Sequence, residues 1–181
     1  TIDIANQLIL KKHHLTEDTK ISDILQITND LCGLHATETI GPYLTLFART
    51  NSFTKEDLDK SLYIKKELGR IRGMRKTLFI ETIEMIPIVH NSIKSLTEKR
   101  DKQYLEIREI SKEEYGTLSR KILDMLKKKE MATTEIKKAL SSQKDIVAII
   151  SIMCDQMLLI RGKPLKSWKD RRLLYAPFED Y

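Results

Sequence analysis

The sequence predicts a mainly helical α+β fold with small β-hairpins, divided into two consecutive modules of residues 1–110 and 111–181. Three observations support this class. Apolar residues recur at helical spacing over most of the chain. Two stretches, near residues 68–80 and 158–175, change to a strand-like pattern. Both halves also place helices before a hairpin, so we expect two similar modules.

Helices open the first module. Apolar spacing predicts two helices within the first 35 residues, broken near residues 13–20, with Ser22 or Asp23 as the cap of the second helix. A third helix is predicted from about Pro42 to Arg49, because proline is tolerated in a first helical turn. Thr54 then begins a Thr-x-x-Asp capping arrangement, which predicts a short fourth helix.

A hairpin and a long helix complete the first module. The segment from Leu68 to Ile80 reads as two short strands that turn at about Gly73. Residues 82 to about 110 return to a helical pattern. Their charged part, residues 98–108, is interpreted as a solvated connecting helix rather than a binding arm.

The second module repeats this order. Its predicted elements are a helix over residues 111–127, a short helix capped by Thr133 or Thr134, a longer helix from Ser142 to Met157, and strands near residues 158–160 and 173–175. Helices followed by a basic hairpin are typical of a winged helix-turn-helix, in which the hairpin is the wing. The sequence therefore predicts two tandem winged helix-turn-helix modules.

Composition limits the possible partners. A net charge of +6 and a pI of about 9.2 favour a polyanion. The longest apolar stretch, residues 146–152, is far shorter than the about 20 residues of a membrane span. Cys32 and Cys154 form no CxxC pair, and no metal-ligand spacing or nucleotide fingerprint occurs. We expect a soluble, cytoplasmic protein with no metal, no cofactor and no membrane contact.

Lysine and arginine concentrate in the two predicted wings. Such residues on exposed loops contact phosphates in a strong, salt-dependent and largely sequence-independent way, although simple solvation is the alternative. The candidate DNA contacts are Arg70, Arg72, Arg75 and Lys76 in the first wing and Arg161, Lys163, Lys166, Lys169, Arg171 and Arg172 in the second. Trp168, the only tryptophan, could stack on a base or pack against its own hairpin. Double-stranded DNA is the predicted partner.

The helix predicted from Ser142 occupies the position that reads bases in a winged helix. Gln143 and Lys144 are candidate DNA contacts there, but the sequence turns apolar from Ile146 onward. Few side chains could reach a groove edge. This pattern favours non-specific or structure-specific DNA binding over recognition of one sequence.

A polar segment after the second helix is the candidate catalytic site. His35 and Thr37 are two residues apart, so in an extended turn their side chains point the same way, with Glu38 adjacent. A histidine and a hydroxyl could position or deprotonate a water molecule. The alternative, judged from the residues alone, is a histidine that only caps the end of the preceding helix.

Four segments carry a family resemblance: GLHAT, PYLTLFAR, FTKEDLDKSL and RGMRKTLFIE. The chain resembles the winged-helix superfamily of the AlkZ-like and YcaQ-like bacterial DNA glycosylases. That family has a Gly-Leu-Gln-x-Gln or Gly-Leu-Gln-x-Asp segment before a region ending in Met-Arg-x-Thr-Leu. The resemblance covers most of the first module, and the second module is similar to the family's second winged helix.

The resemblance implies a C-shaped run of winged helices that holds duplex DNA and hydrolyses the N-glycosidic bond of alkylated bases. By position, His35 and Thr37 occupy the places of the family's two catalytic polar residues, although neither is the usual Gln or Asp. The family's third winged helix and β domain would begin near Tyr181. The resemblance therefore implies a DNA glycosylase or an inactive relative of one.

Two alternatives remain open at the sequence level. A transcription regulator also uses winged helices, but usually as a symmetric dimer, and two unequal modules in one chain favour a monomer. A pair of winged helices could instead serve protein contacts, because this fold permits many uses.

Overall fold

The computed structural model describes residues 1–181 and confirms the mixed α+β class. The α-helices are α1 (Ile2–Lys12), α2 (Ile24–Asp30), α3 (Gly41–Phe47), α4 (Lys55–Tyr63), α5 (Ile86–Ile107), α6 (Lys112–Leu126), α7 (Thr133–Leu140) and α8 (Ile146–Asp155). The strands are β1 (Leu34–His35), β2 (Leu68–Arg72), β3 (Leu78–Thr82), β4 (Met131–Ala132), β5 (Leu159–Pro164) and β6 (Leu173–Pro177). The tandem winged-helix arrangement stays a prediction.

Local capping explains where several helices begin. The Asp23 carboxylate accepts backbone N–H bonds from the first turn of α2. Asp57 accepts hydrogen bonds from both the backbone N–H and the hydroxyl of Thr54 at the start of α4. Ser111 and Glu114 cap α6 reciprocally. The first two starts confirm the predicted caps at Asp23 and Thr54, because a cap depends only on residues within one turn.

Two predicted boundaries in the second half are wrong. Helix α7 begins at Thr133 itself, because the Glu135 carboxylate accepts the backbone N–H of Ala132 and no threonine hydroxyl caps the helix. Helix α8 begins at Ile146 rather than Ser142, because the Asp145 carboxylate caps its first turn. The residues at 142–144 therefore lie before the helix.

Each half of the chain has its own apolar core. The first core consists of the buried residues Ile27, Leu34, Ala36, Tyr43, Leu46, Leu58, Leu62, Leu68 and Ile80. The second core consists of Ile110, Ile122, Leu126, Met131, Ile136, Ile146, Ile149, Ile150, Met153, Cys154 and Leu159. Helix α8 lies within the second core, so most of its surface is covered by protein.

One antiparallel six-stranded sheet joins the halves, in the order β1-β3-β2-β5-β6-β4. The predicted hairpins are present as β2–β3, which turns at residues 73–77, and β5–β6. The two hairpins are joined to each other, because β2 pairs with β5 at Arg70 and Arg161. The prediction missed this junction, since periodicity within a strand does not identify its partner.

An ionic cluster fixes the connecting helix α5 to the second half. Arg72 Nη1 lies 2.7 Å from a carboxylate oxygen of the buried Asp155, and Arg100 of α5 donates to the same carboxylate. Helix α5 is shorter than the predicted 82–110 and begins at Ile86, with Pro87 in its first turn. No helix of the structure is both long and apolar enough to cross a membrane.

Candidate active site and nucleic-acid interface

Strand β1 presents His35 to solvent. Its two residues pair with β3 in the register Leu34 to Ile80 and His35 to Phe79. Leu34 and Ile80 are buried in the first core, whereas His35 is exposed. The imidazole lies edge-on to the Phe79 ring, with centroids 5.4 Å apart. Alternation along the short strand therefore anchors β1 through leucine and leaves the histidine accessible.

His35 and Thr37 form a hydrogen-bonded pair. The imidazole Nε2 lies 3.3 Å from the Thr37 hydroxyl, and that hydroxyl accepts the backbone N–H of Leu78 at 3.3 Å. The contact with β3 orients the hydroxyl, while the imidazole keeps an exposed surface. Two polar groups at this separation can exchange a proton or bind one small polar molecule together. The structure thus places two of the three predicted catalytic residues in contact.

Glu38 binds Arg171, from the loop between β5 and β6. Arg171 Nη2 lies 2.8 and 2.7 Å from the two carboxylate oxygens. Both side chains are more than half exposed. This ion pair brings a residue of the second half next to the candidate catalytic segment, a proximity that sequence spacing does not reveal.

A cavity of about 280 Å³ opens beside this ion pair. Its lining includes Arg171, Arg172 and Leu78, whose backbone N–H donates a hydrogen bond to Thr37. Thr133 and Thr134 of α7 also line the cavity and contribute hydroxyl groups. The cavity therefore combines cationic and hydroxyl groups at the meeting of the two halves.

Three predicted phosphate contacts are covered by protein. Arg70 is 1% exposed and donates to the carbonyl of Gly162 at 3.1 Å. Arg161, opposite it in the sheet, is 8% exposed. Arg72 is paired with Asp155. The placement of these arginines on an open wing was wrong, because the pairing of β2 with β5 and the packing of α8 enclose them.

The remaining cations of the two predicted wings lie at the surface, in the turn between β2 and β3 and in the region from the end of β5 to β6. Arg75 and Lys76 are exposed in the turn between β2 and β3, and both have positive φ. In the loop between β5 and β6, Arg172 is paired with Asp170. The other exposed basic residues from the end of β5 to β6 are Lys163, Lys166, Lys169 and Arg171. These loops therefore retain cations that a phosphate could reach.

Gln143 and Lys144 lie in the turn before α8, not on a base-reading helix. Gln143 is exposed, whereas Lys144 Nζ donates to the carbonyl of Glu109 at 2.7 Å and lies 3.0 Å from the Glu114 carboxylate. Lys144 is thus occupied by contacts within the protein. The buried position of α8 agrees with the inference that this chain reads bases poorly.

Comparison with known proteins assigns the family. The model of the family described as DNA glycosylase AlkZ-like matches residues 28–181, a range that includes β1, the turn after it and both hairpins. The chain belongs to the AlkZ-like DNA glycosylase family. This finding confirms the resemblance seen in the sequence. It does not support the alternative of a transcription regulator.

A solved structure has the same fold. Streptomyces sahachiroi DNA glycosylase AlkZ superimposes with a TM-score of 0.72 at 12% sequence identity, covering 96% of this chain and 49% of that chain. At this identity the likeness concerns the fold alone, and this chain spans about half the length of the matched protein. None of the curated proteins compared with the sequence matches it.

Glu81 is a buried carboxyl close to the candidate site of this AlkZ-like chain, and the sequence analysis did not identify it. It lies on β3 and is 2% exposed, and a Cβ placed on Gly33, two residues before His35, would lie 2.2 Å from its Oε1. The oxygen Oε2 has no hydrogen-bond partner, and burial raises the pKa of Glu81 to about 7. A carboxyl of this kind exchanges protons near neutral pH. Its position at the end of the RGMRKTLFIE segment was the available signal.

No three His, Cys, Asp or Glu side chains converge to form a metal site.

Proposed function

We propose that this chain binds double-stranded DNA that contains an alkylated base and hydrolyses the N-glycosidic bond of that base. The observation that carries the proposal is the exposed His35–Thr37 pair, at 3.3 Å, within the family-matched residues. Membership in the DNA glycosylase family supports the substrate class. The expectations of two winged-helix modules, a monomer and a cytoplasmic location stay predictions.

The proposed reaction is a hydrolysis in which all atoms come from water and DNA. Thr37 and His35 hold the water, whose oxygen forms a bond to C1′ of the deoxyribose. The N-glycosidic bond breaks and its electron pair passes to the base nitrogen. A purine nucleotide alkylated at N7 or N3 carries a positive charge on its base, so the base leaves as a neutral molecule. The unprotonated imidazole nitrogen of His35 accepts the water proton.

Charge at the site suits this reaction. Hydrolysis of a glycosidic bond passes through a cationic, oxocarbenium-like sugar, which a nearby carboxylate stabilises. Glu38 supplies such a carboxylate, one residue from Thr37. Its partner Arg171 is 74% exposed at the side chain and can turn to a DNA phosphate without unfolding the loop. We therefore assign Glu38 to the sugar and Arg171 to the backbone.

The exposed cations supply the electrostatic part of the interface. Arg75 and Lys76 lie in the turn that precedes Leu78, the residue bonded to Thr37. Lys169 and Arg171 lie in the other loop. We propose that both loops contact phosphates, which positions the duplex without reading its sequence.

The decisive experiment measures release of free 7-methylguanine from a duplex oligonucleotide by the full 181-residue chain. His35→Ala should lower the excision rate by about 10²-fold or more while binding stays within about twofold. His35→Gln restores the residue type of the family motif and can still hold the water by hydrogen bonds, but it cannot accept the proton, so it should retain only part of the excision rate. The exposed His13→Ala is the matched control and should behave like the unchanged chain.

Binding is measured separately by fluorescence anisotropy with undamaged, abasic-analogue and alkylated duplexes at two salt concentrations. Preference for the damaged duplexes together with excision supports the proposal. Preference without excision identifies an inactive relative and removes the hydrolytic role. Equal affinity for all three duplexes, or no binding, overturns the lesion-binding proposal.

A further inference from the structure

A second cavity, of about 320 Å³, lies between α3, α4, β5 and the loop that follows β5. None of His35, Thr37 and Glu38 lines it. The side chains relevant to its chemistry are Tyr43, Tyr63, Trp168, Lys55, Lys163 and Lys166. Aromatic rings and ammonium groups thus converge on one concave surface outside the candidate active site.

The aromatic side chains of this cavity are held in place. Tyr43 is buried and donates its hydroxyl to the Asp59 carboxylate at 2.6 Å. The Trp168 ring lies edge-on to Tyr43 at 5.1 Å, and Trp168 packs against the first core. Tyr63 is half-buried on α4. Rigid, partly accessible rings of this kind are the platforms on which unpaired bases stack.

The lysines leave a surplus of positive charge. Lys55 is paired with Asp59 on the same helix. Lys163 and Lys166 are exposed, and neither forms an ion pair with any carboxylate of the chain. Lys163 Nζ lies 5.8 Å from the centroid of the Tyr63 ring. An anionic group bound by these lysines would therefore lie close to an aromatic ring.

We propose that this cavity binds a single unpaired nucleotide, with its base against Trp168 and Tyr63 and its phosphate at Lys163 and Lys166. The aromatic part binds the base by stacking, and the lysines bind the phosphate by charge-assisted hydrogen bonds. The nucleotide is either a free nucleoside monophosphate or an unpaired nucleotide within a DNA strand. The inference goes beyond the proposed glycosylase function and does not depend on it.

The ligand is tested through Trp168, because the only tryptophan of the chain lies in this cavity. The full chain is titrated with deoxyadenosine monophosphate, with deoxyadenosine and with inorganic phosphate. The monophosphate should change the fluorescence saturably and bind at least about tenfold more tightly than either part alone, because it uses both halves of the site. Equilibrium dialysis with labelled monophosphate gives an independent measure of the same affinity.

Variants separate the two halves of the cavity. Lys163→Gln combined with Lys166→Gln should weaken binding of the monophosphate about tenfold. The affinity for deoxyadenosine should not change, because the lysines contact only the phosphate. Both lysines are exposed, so the fold should be retained. Lys137→Gln combined with Lys138→Gln, on the exposed side of α7, is the matched control. Equal weakening by the control pair would overturn the assignment.

Oligonucleotides distinguish the two sources of the nucleotide. The competitors are a single-stranded oligo-deoxyadenosine and a blunt-ended duplex, which has no unpaired nucleotides. If the single strand displaces the monophosphate and the duplex does not, the cavity binds an unpaired nucleotide of DNA. If neither displaces it, the ligand is a free mononucleotide. The proposal is overturned if no nucleotide binds saturably to the chain. It is also overturned if the blunt duplex displaces the monophosphate as well as the single strand does. These outcomes are independent of excision at His35, so the two proposals fail separately.

Discussion

Arg171 and Glu38, which are 133 positions apart in the sequence, bind each other at 2.7 and 2.8 Å and connect the turn after β1 to the loop between β5 and β6. Their side chains are 74% and 57% exposed. An ion pair this exposed stabilises a fold by only about 0–1 kcal/mol. The contact can therefore exchange for a DNA phosphate at little cost to stability.

The first prediction concerns this ion pair. Arg171→Ala should weaken DNA binding and reduce the steepness of its salt dependence by about one unit, because one phosphate contact is lost. Glu38→Gln should do the opposite and strengthen binding at low salt, because it releases Arg171. Anisotropy titrations over a range of salt concentrations measure both effects. Arg120→Ala, at an exposed position on α6, should change neither the DNA affinity nor its salt dependence. A loss of affinity in Glu38→Gln would contradict the proposed role of the ion pair.

The second prediction concerns Glu81. Burial raises the pKa of this carboxyl from 4.5 to about 7. Between these pH values the unfolded chain releases the proton while the folded chain keeps it, so the group increasingly disfavours folding as the pH rises. The full cost is about 3 kcal/mol above pH 7 and vanishes below about pH 4.5.

Replacement of Glu81 by Gln should remove this pH dependence. Urea unfolding from pH 4 to 8 should show the variant gaining stability relative to the unchanged chain, by about 3 kcal/mol over the range. The exposed Glu84 lies three positions away, and Glu84→Gln serves as the control. If the free energies of unfolding of Glu81→Gln and the unchanged chain differ by the same amount at every pH, the pKa of Glu81 is not raised in the folded state.

The third prediction concerns the ionic cluster on α8. Asp155, with 1% of its side chain exposed, binds both Arg72 and Arg100. Asp155→Ala should lower the free energy of unfolding by about 3–5 kcal/mol, because the largely buried Arg72 loses its ion-pair partner and Arg100 keeps only Asp101. Thermal or urea unfolding measures the loss. Asp124→Ala, exposed on α6, should cost less than about 1 kcal/mol, and an equally small loss at Asp155 would refute the role of the cluster.

The fourth prediction concerns Gly33, which has a φ of +96° and would carry its Cβ into the Glu81 carboxyl. Gly33→Ala should destabilise the fold by about 1–3 kcal/mol, since both the backbone and the side-chain contact become strained. Gly116 provides the contrast, because nothing lies within 4 Å of a Cβ placed there. Gly116→Ala within α6 should stabilise the protein by about 0.5–1 kcal/mol. Equal effects at the two sites would contradict this account.

Much of the local structure could be predicted from the sequence. The starts of α2, α4 and α6 follow from Asp23, Thr54 and Ser111, because capping is completed within one helical turn. The start of α8 was misplaced because Ser142 and Asp145 are both good caps, and only the packed structure decides between them. The His35–Thr37 contact was expected from their spacing, and the structure places the two side chains within 3.3 Å.

Tertiary structure decided which charges are available to a partner. Arg70 and Arg171 are both basic residues of predicted wings. Arg70 is enclosed where β2 meets β5, whereas Arg171 is exposed and pairs directly with Glu38 at the surface. The sequence by itself determined the helices, the hairpins and the family motif, because those depend on neighbours along the chain. Strand pairing, the burial of Glu81 and the aromatic cavity depend on contacts between distant residues, which local periodicity does not specify.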